Sequence, residues 1–270
     1  MPPGLSEFKN DKLPKRVIGL AGKKGSGKDA SANFIAGINL VTHGYIEEFH
    51  STRTGQIEIA GKPAIVNSIA PDFIKIYHFA DALKELCHRI FGVDYKLLEN
   101  YKHSNTRFKW QDMPGVVTNL EVYNAVQKFL EKKQELVGPH YTLPIMYHEP
   151  GLLTGRDLLQ FIGTDIFRKI YNDCWIATLV NQILQESPKI AIIADVRFFN
   201  ELNVIKEMNG LCVKLTRITK EDSHISENDF MQYKAWDAII DNAACKDIRC
   251  LNQKLYEGLV GLGIYNEIKL

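Results

Sequence analysis

Apolar residues occur along the chain in short unbroken runs, which amphipathic stretches separate. The clearest runs are 17–21 and 190–194, and runs of this kind are typical of strands buried on both faces of a parallel sheet. Looser runs at 74–79, 211–215 and 238–240 predict further strands. The pattern therefore predicts a buried sheet.

Helices are predicted between these strands. After the first strand and a glycine-rich turn, Phe34, Ile35, Ile38 and Val41 recur at helical spacing. Amphipathic stretches predict further helices at 83–91, 120–137, 158–170, 175–184, 201–208 and 248–259. Because strands alternate with helices, we expect an α/β protein whose parallel sheet is covered on both faces.

Three segments stand apart from this pattern. Residues 1–15 are polar and contain three prolines, so we interpret them as a flexible tail before a single domain that spans 16–270. Residues 94–155 show no simple core pattern and are interpreted as a helical and irregular insertion over the site. Residues 44–71 are predicted to form a small hairpin that includes the run 56–62.

Composition and the absence of long apolar runs exclude several classes of protein. The chain is 45% hydrophobic and 24% charged, as globular proteins are, and its net charge of +1 argues against binding nucleic acid by bulk electrostatics. No apolar run approaches the ~20 residues of a membrane span, and no signal peptide precedes the first strand, so we expect a cytoplasmic protein. The five cysteines form no C-x-x-C pair and are predicted to be buried, reduced thiols.

The turn after the first strand carries the strongest chemical signal. Residues 22–28 match G-x-x-x-x-G-K, with a buried strand before the match and an amphipathic helix after it. The glycines let backbone N–H groups point inward and form an anion site at a helix N-terminus, and the lysine reaches the β- and γ-phosphates. We therefore predict that this loop binds ATP as its magnesium complex, through Gly22, Lys24, Gly25, Ser26, Gly27, Lys28 and Asp29.

Asp29 departs from this motif, because Ser or Thr normally follows the lysine and binds the magnesium ion. A carboxylate can also bind magnesium, directly or through water, and it suits the first turn of a helix. Its negative charge raises the need for cations near the phosphates. Lys23 and Lys24 either meet that need or are ordinary solvated lysines, and the sequence leaves both interpretations open.

Asp195 is the second predicted metal ligand. It ends the apolar run 190–194, and ligands of open α/β sheets bind beyond the carboxyl ends of the strands. The alternative is that Asp195 caps a helix or a turn. Arg197, two residues later, is placed to face the same phosphates.

Several short motifs together resemble those of bacteriophage deoxynucleoside monophosphate kinases. They are Gly-Ser-Gly-Lys28-Asp29, Phe79-Ala80-Asp81-Ala82-Leu83-Lys84, Gly163-Thr164-Asp165, Asp195-Val196-Arg197, Asp222-Ser223-His224-Ile225-Ser226-Glu227 and Ile240-Asp241-Asn242. The resemblance implies a P-loop NTPase fold of three layers, α/β/α, similar to adenylate kinase and with a central five-stranded parallel sheet. It also implies transfer of the γ-phosphoryl of ATP to a deoxynucleoside 5′-monophosphate, which for a viral protein takes place in the host cytoplasm.

Such a reaction needs cations beyond the P-loop lysine, because it depends on positioning and charge neutralisation. The resemblance implies that the acceptor is bound by Arg156, Gln160, Thr164, Asp165 and Arg168, with further substrate-binding candidates at Asp81, Lys84, Lys102, Arg107 and Trp110. Arg156 and Arg168 lie twelve residues apart and are expected to share roughly one face of a helix. The alternative is a surface helix with salt bridges, and the aromatic residues of the insertion fit a hydrophobic plug as well as a base-stacking site.

Residues 217–236 are interpreted as the lid, and Arg217, its only arginine, is predicted to bind ATP together with the glycine-rich loop. Negative charge that develops during phosphoryl transfer must then be neutralised by residues of the core rather than of the lid. The predicted catalytic residues are therefore Lys28, Arg168, Arg197 and Asp195. Two other functions stay open: another small-molecule kinase of this superfamily, such as phosphomevalonate kinase, and a nucleotide-switched regulatory protein. The predicted partners are small-molecule nucleotides, with no nucleic acid and no membrane, and a homodimer is left open.

Overall fold

A computed structural model describes residues 13–95, 98, 107–109, 116–117, 119–137, 146–147, 152–217 and 233–263. The chain divides into two compact units, one formed by 1–80 together with 176–270 and the other by 81–175. The predicted insertion, 94–155, falls within the second unit. The single domain and the tail stay predictions.

The strands and helices follow the chain in this order. The strands are β1 (Arg16–Ala21), β2 (His50–Ser51), β3 (Ile57–Ile59), β4 (Lys62–Ala64), β5 (Ile74–Tyr77), β6 (Arg107–Lys109), β7 (Val116–Val117), β8 (Met146–Tyr147), β9 (Leu152–Thr154), β10 (Ile190–Val196), β11 (Leu211–Leu215) and β12 (Ala238–Ile240). The helices are α1 (Lys28–Thr42), α2 (Val66–Ile69), α3 (Phe79–Phe91), α4 (Leu120–Val137), α5 (Gly155–Gln160), a π-helix (Phe161–Phe167), α6 (Arg168–Ile170), α7 (Cys174–Glu186), α8 (Phe199–Glu207) and α9 (Ile248–Gly261).

The first unit is built on a five-stranded sheet in the order β12-β11-β1-β10-β5. Each neighbouring pair is parallel. All five strands were predicted from the apolar runs, which read as unbroken because both faces of a parallel sheet are covered. The sheet and its flanking helices confirm the predicted α/β fold, that of a P-loop kinase.

Helices cover both faces of this sheet. On one face, Ile18 and Leu20 of β1 belong to a buried core that includes Ile35 of α1 and Leu255 of α9. On the other face α8 packs closely, since a Cβ placed on Gly19 would lie 2.4 Å from the Ile205 side chain. Burying each such Ile or Leu stabilises the fold by about 1.5–3 kcal/mol.

A small antiparallel sheet, β2-β3-β4, also belongs to the first unit. Its β3–β4 hairpin begins in the predicted run 56–62, extends two residues beyond it to Ala64, and turns at Ala60 and Gly61, both at positive φ. The third strand, β2, was not predicted, because two residues are too few to show a period. The preceding turn rests on α1, where Asn33 Nδ2 donates to the Gly55 carbonyl at 3.0 Å.

The helical part of the second unit differs from its prediction. A single α-helix was expected at 158–170, but α5 begins earlier, with a capping box between Thr154 and Asp157, and a π-helix then occupies Phe161–Phe167. A π-helix turns less per residue than an α-helix. α-Helical spacing therefore does not apply across Phe161–Phe167, and the shared face of Arg156 and Arg168 stays a prediction.

The cysteines correct a second prediction. Cys245 and Cys250 form a disulfide with their Cα atoms 5.4 Å apart, whereas Cys87, Cys174 and Cys212 are free. The pair meets because the chain turns into α9 between them, where Asp247 accepts a hydrogen bond from the Cys250 N–H at 2.9 Å. Among the described residues, no helix is both long and apolar enough to cross a membrane.

Candidate functional site

The glycine-rich loop joins β1 to α1. Gly25 and Gly27 adopt φ values of 75° and 96°, a left-handed conformation that glycine adopts without strain. Gly22 is required for a different reason, since a Cβ there would lie 2.5 Å from Ser26 Oγ and 2.9 Å from the Leu215 carbonyl. The loop is thus compact, and it leads directly into the N-terminus of a helix.

Lys28 folds back over this loop. Its ammonium group donates to the Gly22 carbonyl at 2.5 Å and to the Lys23 carbonyl at 3.1 Å. A positive charge is therefore held against the loop by groups that phosphate oxygens can replace. This is the arrangement that the G-x-x-x-x-G-K motif predicts.

Asp29 lies in the first turn of α1, and its side chain is 69% exposed. Its Oδ1 is 3.4 Å from Nε2 of His78, the residue that follows β5. A carboxylate at this end of a helix is favoured by the helix dipole. Asp29 is accordingly accessible to a cation, and His78 lies beside it.

Asp195 lies at the carboxyl end of β10, where it was predicted, but its carboxylate has backbone partners. Oδ1 accepts a hydrogen bond from the Phe79 N–H at 2.7 Å, and Oδ2 accepts one from the Ala80 N–H at 3.1 Å. These N–H groups belong to the first turn of α3, so Asp195 has the helix-capping contacts that were the alternative to metal binding. Its role as a metal ligand stays a prediction.

Arg197 stands in a turn that a buried carboxylate fixes. Glu201 is 1% exposed, and its Oε2 accepts from the Arg197 N–H at 2.8 Å and from the Phe198 N–H at 3.1 Å. The backbone of Arg197 is therefore held in one conformation just beyond β10. Arg197 is itself half-buried.

Arg217 lies two residues beyond β11, and residues 218–232 of the predicted lid lie outside the described residues. The Arg217 N–H donates to Asn242 Oδ1 at 2.9 Å. Asn242 Nδ2 donates to the Ser26 carbonyl at 2.8 Å. One buried amide thus contacts both the glycine-rich loop and the end of β11.

The second unit contains the residues predicted to bind the acceptor. Asp81 and Lys84 form an ion pair of 3.1 Å within α3. Thr164 and Asp165 are half-buried in the π-helix, and Arg168 Nη1 donates to the Asn172 carbonyl at 3.4 Å.

Gln160 lies in the same helical segment. Within the part of the chain that the structure describes, its Nε2 is buried and has no hydrogen-bond partner. Lys102 and Trp110 lie outside the described residues, and for Arg107 and Arg156 only the backbone is described. The acceptor-binding role of all these residues stays a prediction.

Comparison with known proteins bears on the identity of the chain. Residues 145–254 match the family model described as deoxynucleotide monophosphate kinase. A deoxynucleoside-5′-monophosphate kinase of Escherichia phage T5 is 26% identical over 207 residues, which are 72% of this chain and 73% of that protein. This chain is related to the deoxynucleotide monophosphate kinases.

A second relative has a shorter alignment. A putative deoxynucleotide monophosphate kinase of Acanthamoeba polyphaga mimivirus is 30% identical over 103 residues, which are 33% of this chain and 53% of that protein. The chain therefore spans about half the length of this relative. The region that matches the kinase family model includes Asp195, Arg197 and Arg217, and the glycine-rich loop precedes it.

Three residues of this chain that sequence reasoning did not select lie beside the loop or beside predicted site residues: His78, Glu201 and Asn242. His78 and Asn242 follow strands of the parallel sheet, so the rule that ligands bind beyond the carboxyl ends of strands was a usable signal for both. Asn242 is also the last residue of the motif Ile240-Asp241-Asn242, but the sequence assigned it no role. Nothing in the sequence separates Glu201 from an exposed helical glutamate, because its burial depends on the turn after β10.

Proposed function

We propose that this protein transfers the γ-phosphoryl group of ATP to a deoxynucleoside 5′-monophosphate, giving ADP and a deoxynucleoside diphosphate. The observation that carries the proposal is the glycine-rich loop with the Lys28 ammonium held against it, in a chain related to deoxynucleotide monophosphate kinases. A second supporting point is the position of the loop at the carboxyl edge of a parallel sheet, where such folds bind ligands.

In the proposed reaction an oxygen of the acceptor monophosphate attacks the γ-phosphorus, and the bond from that phosphorus to the β–γ bridging oxygen breaks. Lys28 exchanges its contacts with the Gly22 and Lys23 carbonyls for phosphate oxygens. The loop N–H groups hold the same phosphates, so charge that moves onto the leaving ADP meets donors that are already in place.

A magnesium ion fits the chemistry of the residues beside the loop. Magnesium is commonly held by one or two carboxylates together with substrate phosphates. Asp29 provides an exposed carboxylate in the first turn of α1, whereas Asp195 keeps its two backbone contacts and is the weaker candidate for direct binding. When bound, the ion neutralises negative charge on the phosphate oxygens.

Three arginines have proposed roles. Arg168 and Arg156 bind the acceptor phosphate, and Arg197 neutralises the charge of the transferred group. The fixed backbone of Arg197 supports its assignment, because a positioned cation loses less entropy than a free one when it meets a phosphate.

Measuring ADP release tests the proposal. The protein is mixed with ATP and magnesium and with dTMP, dGMP, dAMP, dCMP or phosphomevalonate, and wild-type protein without acceptor is the blank. We expect turnover with at least one deoxynucleoside monophosphate. Turnover with phosphomevalonate alone identifies a different kinase, and tightly bound GDP without any transfer identifies a regulatory nucleotide-binding protein.

A further inference from the structure

Asn242 occupies a position that the reaction as proposed does not use. It lies two residues beyond β12 and is 1% exposed. Its backbone is fixed on both sides, because its N–H donates to the Ile240 carbonyl at 3.0 Å and its own carbonyl accepts from the Cys245 N–H at 3.2 Å. The Asn242 side chain is therefore held at one position in the protein interior.

Both ends of the Asn242 amide are bonded to backbone that borders the glycine-rich loop or the end of β11. Nδ2 donates to the Ser26 carbonyl at 2.8 Å, and Oδ1 accepts from the Arg217 N–H at 2.9 Å. A single side chain can make both bonds only if it carries a donor and an acceptor on a short stem. Asparagine meets this requirement, whereas ionised aspartate only accepts.

The bond to Ser26 has a consequence for the neighbouring N–H group. The Ser26 carbonyl and the Gly27 N–H belong to the same peptide, which is trans and planar, so the two point in opposite directions. Because the Ser26 carbonyl points to the Asn242 side chain, the Gly27 N–H points away from Asn242. Gly27, at a φ of 96°, allows this orientation without a side-chain clash.

We infer that Asn242 is a positioning residue that orients the Gly27 N–H toward the phosphates of the nucleotide. The inference rests on the proposed function, since it assumes that the loop binds phosphate. Its effect is expected on the donor nucleotide, because the hydrogen bonds of the Asn242 side chain among the described residues go to Ser26 of the loop and to Arg217. Losing its bond to Ser26 therefore weakens nucleotide affinity and leaves the acceptor KM unchanged.

Two substitutions separate the hydrogen bond from charge. Asn242→Asp keeps the shape and loses the donor, and Asn242→Leu keeps approximately the shape and loses both bonds without adding charge. Asn252→Asp and Asn252→Leu are the matched controls, because half-buried Asn252 also makes one Nδ2 bond, at 3.0 Å, but to Ser51 Oγ, which lies outside the glycine-rich loop.

Calorimetry with MgATP and steady-state kinetics are the first readouts. We expect both Asn242 variants to bind MgATP about tenfold more weakly or worse, the scale of one hydrogen bond to a charged group. The KM for the monophosphate stays within about twofold, and the Asn252 variants bind like wild type. Wild-type affinity in Asn242→Leu overturns the inference, and so does an equal loss for both substrates.

Nuclear magnetic resonance of ¹⁵N-glycine-labelled protein reports directly on the Gly27 N–H. Its wild-type measurement tests the inference even if the variants do not fold. In wild type, ADP should shift the Gly27 amide resonance strongly downfield, and in a folded Asn242 variant that shift should shrink while Gly25 still responds. An unshifted Gly27 resonance in wild type that binds ADP refutes the inference alone. Wild type that binds no nucleotide refutes the proposed function instead.

Discussion

Lys28 is the residue on which the proposed reaction most depends. Its ammonium group rests on two loop carbonyls, and it is expected to move only a short distance to reach phosphate oxygens. Lys28→Met removes this charge and nearly preserves the length of the side chain. We expect kcat to fall by about 10² or more, the scale of removing one preorganised donor.

The control for that substitution is Lys62→Met, since Lys62 is an exposed lysine of β4. Both variants should melt within a few degrees of wild type, and ADP release is measured at saturating ATP. Near-normal turnover in Lys28→Met contradicts the proposed role of the lysine.

Arg168 tests the acceptor side. In the structure its guanidinium donates to the Asn172 carbonyl at 3.4 Å, a long contact that a phosphate can replace at little cost. We expect Arg168→Ala to raise the KM for the monophosphate at least tenfold, as the loss of one charged hydrogen bond would, and to leave MgATP affinity within about twofold. Lys169→Ala, at an exposed neighbouring position, is the control, and an effect of Arg168→Ala on ATP affinity alone would reverse the assignment.

At the scale of elements, Glu186 joins the edge strand β5 to α7. Its Oε2 accepts from Tyr77 Oη at 2.7 Å and pairs with Lys75 Nζ at 2.9 Å, and its Oε1 accepts from Gln182 at 3.2 Å. Burial raises the pKa of Glu186, but these hydrogen bonds and the Lys75 charge outweigh burial and hold it below the ordinary value of 4.5. Burial, and after it the hydrogen bond to Glu186, raise the pKa of Tyr77, so the phenol stays protonated as the donor.

This pairing predicts a pH dependence of stability. Because the pKa of Glu186 is lower in the folded state, its ionised form contributes stability above about pH 4.5, and that contribution is lost as pH falls through the folded-state pKa. We expect Glu186→Gln to lower the free energy of unfolding by about 1–3 kcal/mol at pH 7. The difference from wild type should shrink in urea melts at progressively lower pH.

Glu257→Gln is the matched control, since Glu257 also accepts from a glutamine four residues earlier, at 2.7 Å, but is exposed. Its effect should be small at every pH. A difference between Glu186→Gln and wild type that grows as the solution is acidified would contradict the assignment.

The elements show what the sequence could and could not predict. The strands and the glycine-rich loop were predictable because burial on both faces leaves an unbroken apolar run, and because the motif is local. The π-helix at Phe161–Phe167 was not, since its residues have the same composition as an α-helix and differ only in which carbonyl each N–H contacts. The two backbone bonds of Asp195 and the bridge made by Asn242 join residues far apart in sequence, and no local pattern records such contacts.

At the scale of the whole molecule, the number of free thiols distinguishes the structure from the sequence-based prediction that all five cysteines are reduced. Three cysteines are free, and two form a disulfide. Thiol titration in denaturant should therefore find three thiols without reductant and five after reduction. Five without reductant would show that Cys245 and Cys250 are not bonded.

Thiol titration of the native protein gives the number of thiols that react in the folded state. Burial raises the pKa of Cys87 to about 12 and that of Cys212 to about 11, so both should stay unreactive near neutral pH. Cys174 is partly exposed and should react first, slowly, because burial raises its pKa too. Cys174→Ser should abolish the native reaction, and a fast reaction that persists in this variant would place an accessible thiol elsewhere.

The central strand of the sheet is the first strand that the structure describes along the chain, and this order matters while the protein is being synthesised. β1 pairs with β10 on one side and with β11 on the other. A ribosome that has passed β1 must still translate beyond Ile190 before either hydrogen-bonding edge of that strand can be covered. Until then Ile18 and Leu20 belong to an apolar strand with two open edges, which is the kind of segment that chaperones bind and that aggregates when synthesis stops early.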